Sequence, residues 1–286
     1  MTSNADYHAD PAISASHLKT VMQSPYHYWS RFLDPKRPTV EPTSAMRLGS
    51  LAHCAVLEPD ELSKRYSTCL PRNTKAGKEQ AAELAAAGIE AVTESDMALA
   101  LNMADAVRQH PYAAALLRDG KAEQSFWWDD KASGQRCKCR PDWYQGTTIV
   151  DLKTCQDASA NSFARACATF SYHTQAAHYL NGTFADRFVF VAVEKTYPFC
   201  VGIYELDAAA MAAGAEQCRI GLQTISDCRA INEWPGYTTT CDTIAMPNWA
   251  LYGTTTITSD DFELPSALDT RASSVNFHHH CTWLQQ

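Results

Sequence analysis

No uninterrupted apolar stretch of about 18 residues occurs in the sequence, so no transmembrane helix is expected. Residues 1–10 are polar and acidic and lack the charged and apolar regions of a secretory signal, which makes the cytoplasm the expected compartment. None of the 11 cysteines forms a C-x-x-C pair, and their scattered spacing is not that of a disulfide scaffold; buried free thiols are expected instead. Cys137 and Cys139 form only C-x-C, which on a strand puts both on one face and is a weak spacing for zinc. There is no internal repeat. An excess of basic charge is also missing: the formal net charge is −8, which argues against a protein that coats nucleic acid nonspecifically. A local field can still serve a nucleic-acid enzyme. Residues 1–80 hold ten Lys/Arg against eight Asp/Glu, a net +2 that leaves −10 for the remainder. The N-terminal part is therefore the better place for phosphate contacts, although charge alone favours a solvated surface with no partner.

A chain of 286 residues with 45% hydrophobic side chains suits one large domain, or one domain with appendages, around a sizeable core. Ser14 is placed to cap a helix through Leu18, Val21 and Met22, interrupted at Pro25. The aromatic cluster Tyr26, Tyr28, Trp29 and Phe32 that follows is expected to pack rather than to stack on bases. After the proline-rich connector Pro35–Pro42, Thr43 or Ser44 caps a helix over Ala45–Leu57 that Pro59 ends. Further helices are expected near Lys78–Ala87 and Ser95–Gln109, with a short helical turn from Pro111. The pattern then changes to strands at Glu123–Asp129, Gln135–Tyr144 and Thr147–Thr154, with a hairpin turn over Asp130–Gly134. Helices at Ala160–Ala168 and Tyr172–Asn181, strands at Arg187–Val193 and Phe199–Leu206, and a long helix from an Asp207 cap complete the order. That order predicts an α/β fold with a mixed central β-sheet flanked by helices. The expected division is an N-terminal helical region at 1–120 packed on the core, the core itself at 121–250, and a partly ordered Thr/Ser-rich tail at 251–286.

The strongest local signal is Pro141-Asp142, eight residues, then Asp151-Leu152-Lys153. Neighbouring strands can bring Asp142 and Asp151 to one end of the sheet, where two carboxylates repel unless a hard cation lies between them. Residues 151 and 153 share a strand face, so Lys153 projects beside Asp151, placed to orient or help deprotonate an attacking water, or to offset charge in a phosphoryl transition state. Apolar Ile149, Val150 and Leu152 mark a buried strand, which rarely carries Asp and Lys without pairing or function. Gln175 and Tyr179 lie one turn apart on one helix face. Taken singly they would be a polar stripe, and His53 alone would be an ordinary helical histidine.

These residues together resemble a known family. Pro141-Asp142…Asp151-Leu152-Lys153 matches the signature of the PD-(D/E)xK nucleases, and Gln175-Ala-Ala-His-Tyr179 matches the Q-x-x-x-Y motif of their RecB-like branch. Gly49-Ser-Leu-Ala-His53-Cys, Leu57-Glu-Pro-Asp-Glu61, Ala76-Gly-Lys78, Cys139-Arg-Pro-Asp142, Tyr172-His-x-Gln175 and Asn232-Glu-Trp-Pro-Gly236 are similar to the RecE-like exodeoxyribonuclease VIII family of prophages, in the same order from about residue 12 to Ala250. The resemblance implies a PD-(D/E)xK core and a Mg²⁺-dependent exonuclease, with Mn²⁺ as a substitute. It implies attack on the ends of linear double-stranded DNA, 5′ to 3′, leaving 3′ single strands for DNA recombination or repair with a RecT-like annealing partner. It also implies a homotetrameric ring. Carried over by position, His53, Asp142, Asp151 and the Leu152 carbonyl would bind the metal and Lys153 would be catalytic. Glu123, Gln175 and Tyr179 would line the site.

Two alternatives stand beside this expectation. A RecB-like nuclease with an iron–sulfur cluster needs four suitably placed cysteines, and Cys218, Cys228 and Cys241 are dispersed. A catalytically silent DNA-binding or assembly module of a phage recombination system could lose Asp142, Asp151 and Lys153 freely, yet all three are intact. The run His278–His280 next to Cys281 has no counterpart in the family.

Overall fold

The structure, a computed structural model, describes residues 4–247 and Ala250. The expected tail at 251–286 and the His278–His280 run lie outside the described residues. By contacts the chain divides into two units, Met1–Thr239 and Thr240–Gln286. In the second, the Thr240 hydroxyl donates to Asp242 Oδ1 at 3.5 Å. All named helices and strands belong to the first.

Helices α1 (Asn4–Ala9), α2 (Ala15–Gln23) and α3 (Pro25–Tyr28) open the chain, and α3 runs on into a π-helical turn at Trp29–Leu33. The next elements are α4 (Ser44–Leu57), α5 (Pro59–Arg65), β1 (Tyr66–Thr68), α6 (Lys75–Ala86), β2 (Glu90–Val92), α7 (Glu94–Gln109) and α8 (Pro111–Leu116). Strands β3 (Lys121–Ala122), β4 (Phe126–Asp129), β5 (Arg136–Cys139), β6 (Trp143–Tyr144) and β7 (Thr148–Cys155) follow. Then come α9 (Ala160–Thr169), α10 (Tyr172–Asn181), β8 (Arg187–Glu194), β9 (Val201–Tyr204) and α11 (Ala208–Ile231). Helix starts follow the expected caps: the Thr43 hydroxyl accepts from the Met46 N–H at 3.3 Å, and Asp207 Oδ1 from the Ala210 N–H at 2.8 Å. None of the helices among the described residues is long and apolar enough to cross a membrane.

The central sheet is mixed, in the order β3-β6-β7-β8-β9, with β7 and β8 parallel and the other pairs antiparallel. Parallel strands are covered on both faces and read as near-continuous buried runs, as Thr148–Leu152, with Asp151 among its apolar residues, and Phe188–Val193 do here. Alternation along β7 then decides what faces what. Val150 and Leu152 join Val189, Val191 and Val193 under α4 and α7. Ile149, Phe188, Phe190 and Ala192 face the opposite way, toward α9 and α10, so the odd-numbered Asp151 and Lys153 share that second face. A third apolar cluster packs α2 and α3 against α11 through Leu18, Val21, Tyr28, Leu222 and Ile225. Tyr28 is thus buried, as packing of the aromatic cluster predicts, whereas Tyr26 stacks on Trp29 and stays 53% exposed.

Three expectations are corrected. The single strand expected over Gln135–Tyr144 is two: β5 pairs with β4 in a separate hairpin (Phe126↔Cys139), and β6 pairs with β7 (Trp143↔Val150). The chain breaks at Arg140–Asp142 because Pro141 has no N–H to give a ladder. The strand expected from Glu123 starts only at Phe126; Glu123 has φ 53°, a left-handed turn after β3. Finally, α5 and the parallel pair β1–β2 occupy stretches on either side of α6 where no element is expected. Pro59 ends α4 and also begins α5 at its first turn, where a missing N–H costs nothing.

Candidate active site

Asp142 lies in the break that Pro141 creates, beyond the start of β6, so its carboxylate reaches past the end of that short strand. β6 covers β7 only at Val150 and Ile149, which leaves the β7 edge open at Leu152. Asp142 Oδ2 fills that opening, accepting the Leu152 N–H at 2.8 Å. The N–H and C=O of a strand residue point to the same side, so the Leu152 carbonyl also faces this edge. The Glu123 N–H donates to the Asp142 carbonyl at 3.2 Å, which ties the turn after β3 to the same place.

From α4, His53 Nε2 comes within 3.1 Å of Asp142 Oδ2, while Nδ1 is 2.8 Å from the Gly49 carbonyl oxygen. A carbonyl only accepts, so Nδ1 carries a proton and Nε2 is the atom turned to the site. From the other face of the sheet, Gln175 of α10 donates from Nε2 to Asp151 Oδ1 at 2.6 Å and accepts from Lys153 Nζ at Oε1, 3.4 Å away. The Lys153 ammonium pairs with Asp151 Oδ2. Beneath it lies the Tyr172 ring, with the ammonium 4.8 Å from the centroid. Tyr179, one turn on from Gln175, faces the same cleft as Gln175. His53, Asp142 and Leu152 are therefore joined by direct contacts, as are Asp151, Lys153 and Gln175, and the two sets meet along β7, where Leu152 lies between Asp151 and Lys153; Glu123 is joined through the main chain, and Tyr179 stands at the margin.

The electrostatics follow from burial and pairing. Asp151 has no exposed surface, and burial lifts its carboxyl above the ordinary range despite the Lys153 ammonium. Burial would strip the proton from Lys153, but the Asp151 carboxylate reverses this and holds its pKa above the ordinary value. Burial likewise opposes charge on His53, and Asp142 overcomes it, raising the imidazolium to about 9. Asp142 is lowered, because His53 outweighs the burial that would raise it. Glu123 is raised to about 7, by burial first and then by Asp142. Burial keeps the Tyr179 phenol well above 10 and so protonated.

Each carboxylate is thus paired with a protein cation, and among the described residues no three His, Cys, Asp or Glu donors are gathered around one point. The donor chemistry nevertheless suits a hard divalent cation: two carboxylates, one imidazole and a main-chain carbonyl on an open edge. Asp151 Oδ2 is buried with the Lys153 ammonium as its one partner among the described residues, which leaves it lone-pair capacity that a metal ion would satisfy. Among the described residues the cysteines offer no rival centre. Cys137, Cys139, Cys218 and Cys228 are buried, and burial raises each thiol's pKa, which disfavours the thiolate a metal requires.

Two clefts flank the cluster. One of about 980 Å³ is lined by His53, Glu123 and Arg140; the other, of about 500 Å³, by Gln175, Tyr179, Lys19, Arg31 and Arg37. Lys19 and Tyr172 were missed as site residues in the sequence. The former has no motif around it, and its only trace there is the basic excess of residues 1–80.

Among solved structures, one from Eubacterium rectale described as a "Putative exonuclease" superposes with a TM-score of 0.60 at 14% identity, covering 89% of this chain and 99% of the other. At that identity the likeness is one of fold. A second, of SSO0001, has 14% identity and a TM-score of 0.28 over 63% of this chain and 86% of the other, too low to carry an argument. No curated protein matches. Residues 14–247 match the family described as "PDDEXK-like domain of unknown function (DUF3799)", and the chain belongs to that family.

Proposed function

We propose that the chain is a metal-dependent nuclease that hydrolyses the phosphodiester backbone of double-stranded DNA. The observation that carries this reading is the joining of Asp142, Asp151 and Lys153 between two clefts, with His53 and Gln175 holding them. Family membership supports the same chemistry. The finer reading rests on the RecE-like motifs: a 5′-to-3′ exonuclease on linear ends, serving recombination in the cytoplasm as a homotetrameric ring with a RecT-like annealing partner.

His53, Asp142, Asp151 and the Leu152 carbonyl would hold the cation, with Mg²⁺ the natural fit to oxygen donors and Mn²⁺ a substitute. When bound, it would supply Lewis-acid polarisation of the phosphate and help activate water. Lys153, held cationic by Asp151, is suited to stabilise negative charge as it develops on the phosphoryl oxygens. It is poorly suited to act as a base while that pairing lasts. Gln175 fixes both partners at once, donating to the carboxylate and accepting from the ammonium. The Nδ1–H bond to Gly49 fixes the His53 ring so that Nε2 stays aimed at the Asp142 side. Glu123, raised to about 7, is placed to exchange a proton near neutral pH.

Nucleotide release from linear duplex DNA, with Mg²⁺ or with EDTA, tests the reading. Release in Mg²⁺ alone is expected; a closed circular duplex should survive, and release from it would replace the exonuclease reading by an endonuclease one. No release from any DNA would overturn the proposal.

A further inference from the structure

Among the described residues, one cation beside the catalytic cluster has no ion-pair partner. Lys19 projects from α2 with its ammonium 5.3 Å from the Tyr172 ring centroid, over the same ring that supports Lys153 at 4.8 Å. Asp151 neutralises Lys153. Among the described residues Lys19 makes no ion pair and no hydrogen bond, and the ring is its one contact of that kind. A half-buried ammonium next to a second ammonium is a cost to the fold, and burial, followed by Lys153, pulls its pKa down to about 8. An anion delivered to this place would remove that cost. The cleft Lys19 lines is a path shared by Gln175, Tyr179, Arg31 and Arg37, and Asp10, with a carboxylate oxygen already accepting the Ala12 N–H, is the one acidic residue lining it among the described residues. A chain of phosphates fits that path; a single carboxylate or a neutral ligand would leave most of its charge unanswered.

We propose that Lys19 is a second substrate-contacting amine of the active site, gripping a phosphodiester next to the scissile one as the DNA strand enters along α2 toward Arg31 and Arg37. This rests on the nuclease reading and assigns a residue and a strand path within it. Lys153 then serves the reacting phosphate and Lys19 its neighbour, so Lys19 contributes to ground state and transition state alike and acts mainly on KM.

The test is fluorescence anisotropy of a labelled linear duplex titrated with the full chain in EDTA, where no strand is cut, alongside steady-state degradation in Mg²⁺. Lys19→Met is expected to weaken binding by about 10-fold near 0.1 M salt and to lower the slope of log K against log salt by about one, the signature of one lost phosphate contact. KM should rise more than kcat falls. Lys19→Arg, which keeps the charge, should restore the slope. If Lys19→Met shows no cooperative melt, Lys19→Gln carries the same measurement. Wild-type affinity and slope in the folded Met or Gln variant, with an active parent, overturn the assignment of Lys19 alone. A parent that neither binds nor degrades DNA overturns the nuclease reading and this inference with it.

Discussion

Asp142→Asn distinguishes two opposing electrostatic accounts of the site. Two carboxylates brought together repel, and on that account an amide at position 142 should stabilise the fold. The structure instead pairs Asp142 with His53, Oδ2 to Nε2 at 3.1 Å. Burial pulls the imidazolium's pKa down, Asp142 more than offsets this, and the value moves from 6.5 to about 9. One pKa unit corresponds to about 1.4 kcal/mol, so the pairing contributes about 3 kcal/mol when fully developed. His53 keeps 28% of its side chain exposed. Solvent screening and partial titration therefore leave about 2 kcal/mol near pH 7, a fall in Tm of about 4–8 °C for a chain of this size. The sign of the pH dependence follows from the raised value. The contribution is complete below the unfolded imidazole's 6.5 and is lost as pH rises through about 9. Calorimetric melts in EDTA should show the widest gap between parent and variant at about pH 6, narrowing to nothing by about pH 10. Asparagine can still accept the Leu152 N–H through its amide oxygen, so that 2.8 Å bond does not confound the comparison. A variant as stable as the parent near neutrality, or a gap that ignores pH, would refute the pairing and make repulsion the dominant effect.

Three further outcomes are expected. Lys153→Met leaves Asp151 buried and unpaired, costing about 3–5 kcal/mol of stability and at least about 100-fold in kcat; melts and single-turnover cleavage read the two effects, and a normal rate would remove Lys153 from the chemistry. Gln175→Leu breaks the 2.6 Å bond to Asp151 and the contact with Lys153, so the Mg²⁺ concentration for half-maximal rate should rise by about 10–100-fold; an unchanged metal requirement would reduce Gln175 to packing. In Gly214→Ala the new Cβ would stand 2.2 Å from the His173 carbonyl oxygen, forcing α10 away from α11. Tm should fall by the equivalent of about 1–3 kcal/mol and activity with it, because α10 carries Gln175; a stable, fully active alanine variant would show that this helix crossing tolerates a shift.

What could be read in the sequence divides along one physical line. Strand β7 was legible because its core residues and its chemistry alternate locally: Val150 and Leu152 take one face, Asp151 and Lys153 the other, and period two alone pairs the amine with the acid. The helix starts at Thr43 and Asp207 were legible for the same reason, since a cap satisfies amides within three residues of itself. The failures at the site concern partners far along the chain. A run such as Gln135–Tyr144 has strand character throughout, and only the competition between β4 and β7 for its two halves, with Pro141 unable to bridge them, shows that Asp142 sits in a break. Lys19 is the extreme case. Nothing within α2 distinguishes it from a solvated lysine. Its direction is set by Leu18 and Val21 packing on α11 at Gly221, where a Cβ would come within 3.1 Å of the Leu18 side chain. That packing fixes the rotation of α2 and so turns the next residue, Lys19, over Tyr172. A strand bearing candidate site residues can therefore be found by its period, whereas a cleft assembled from helices is decided by which apolar faces meet.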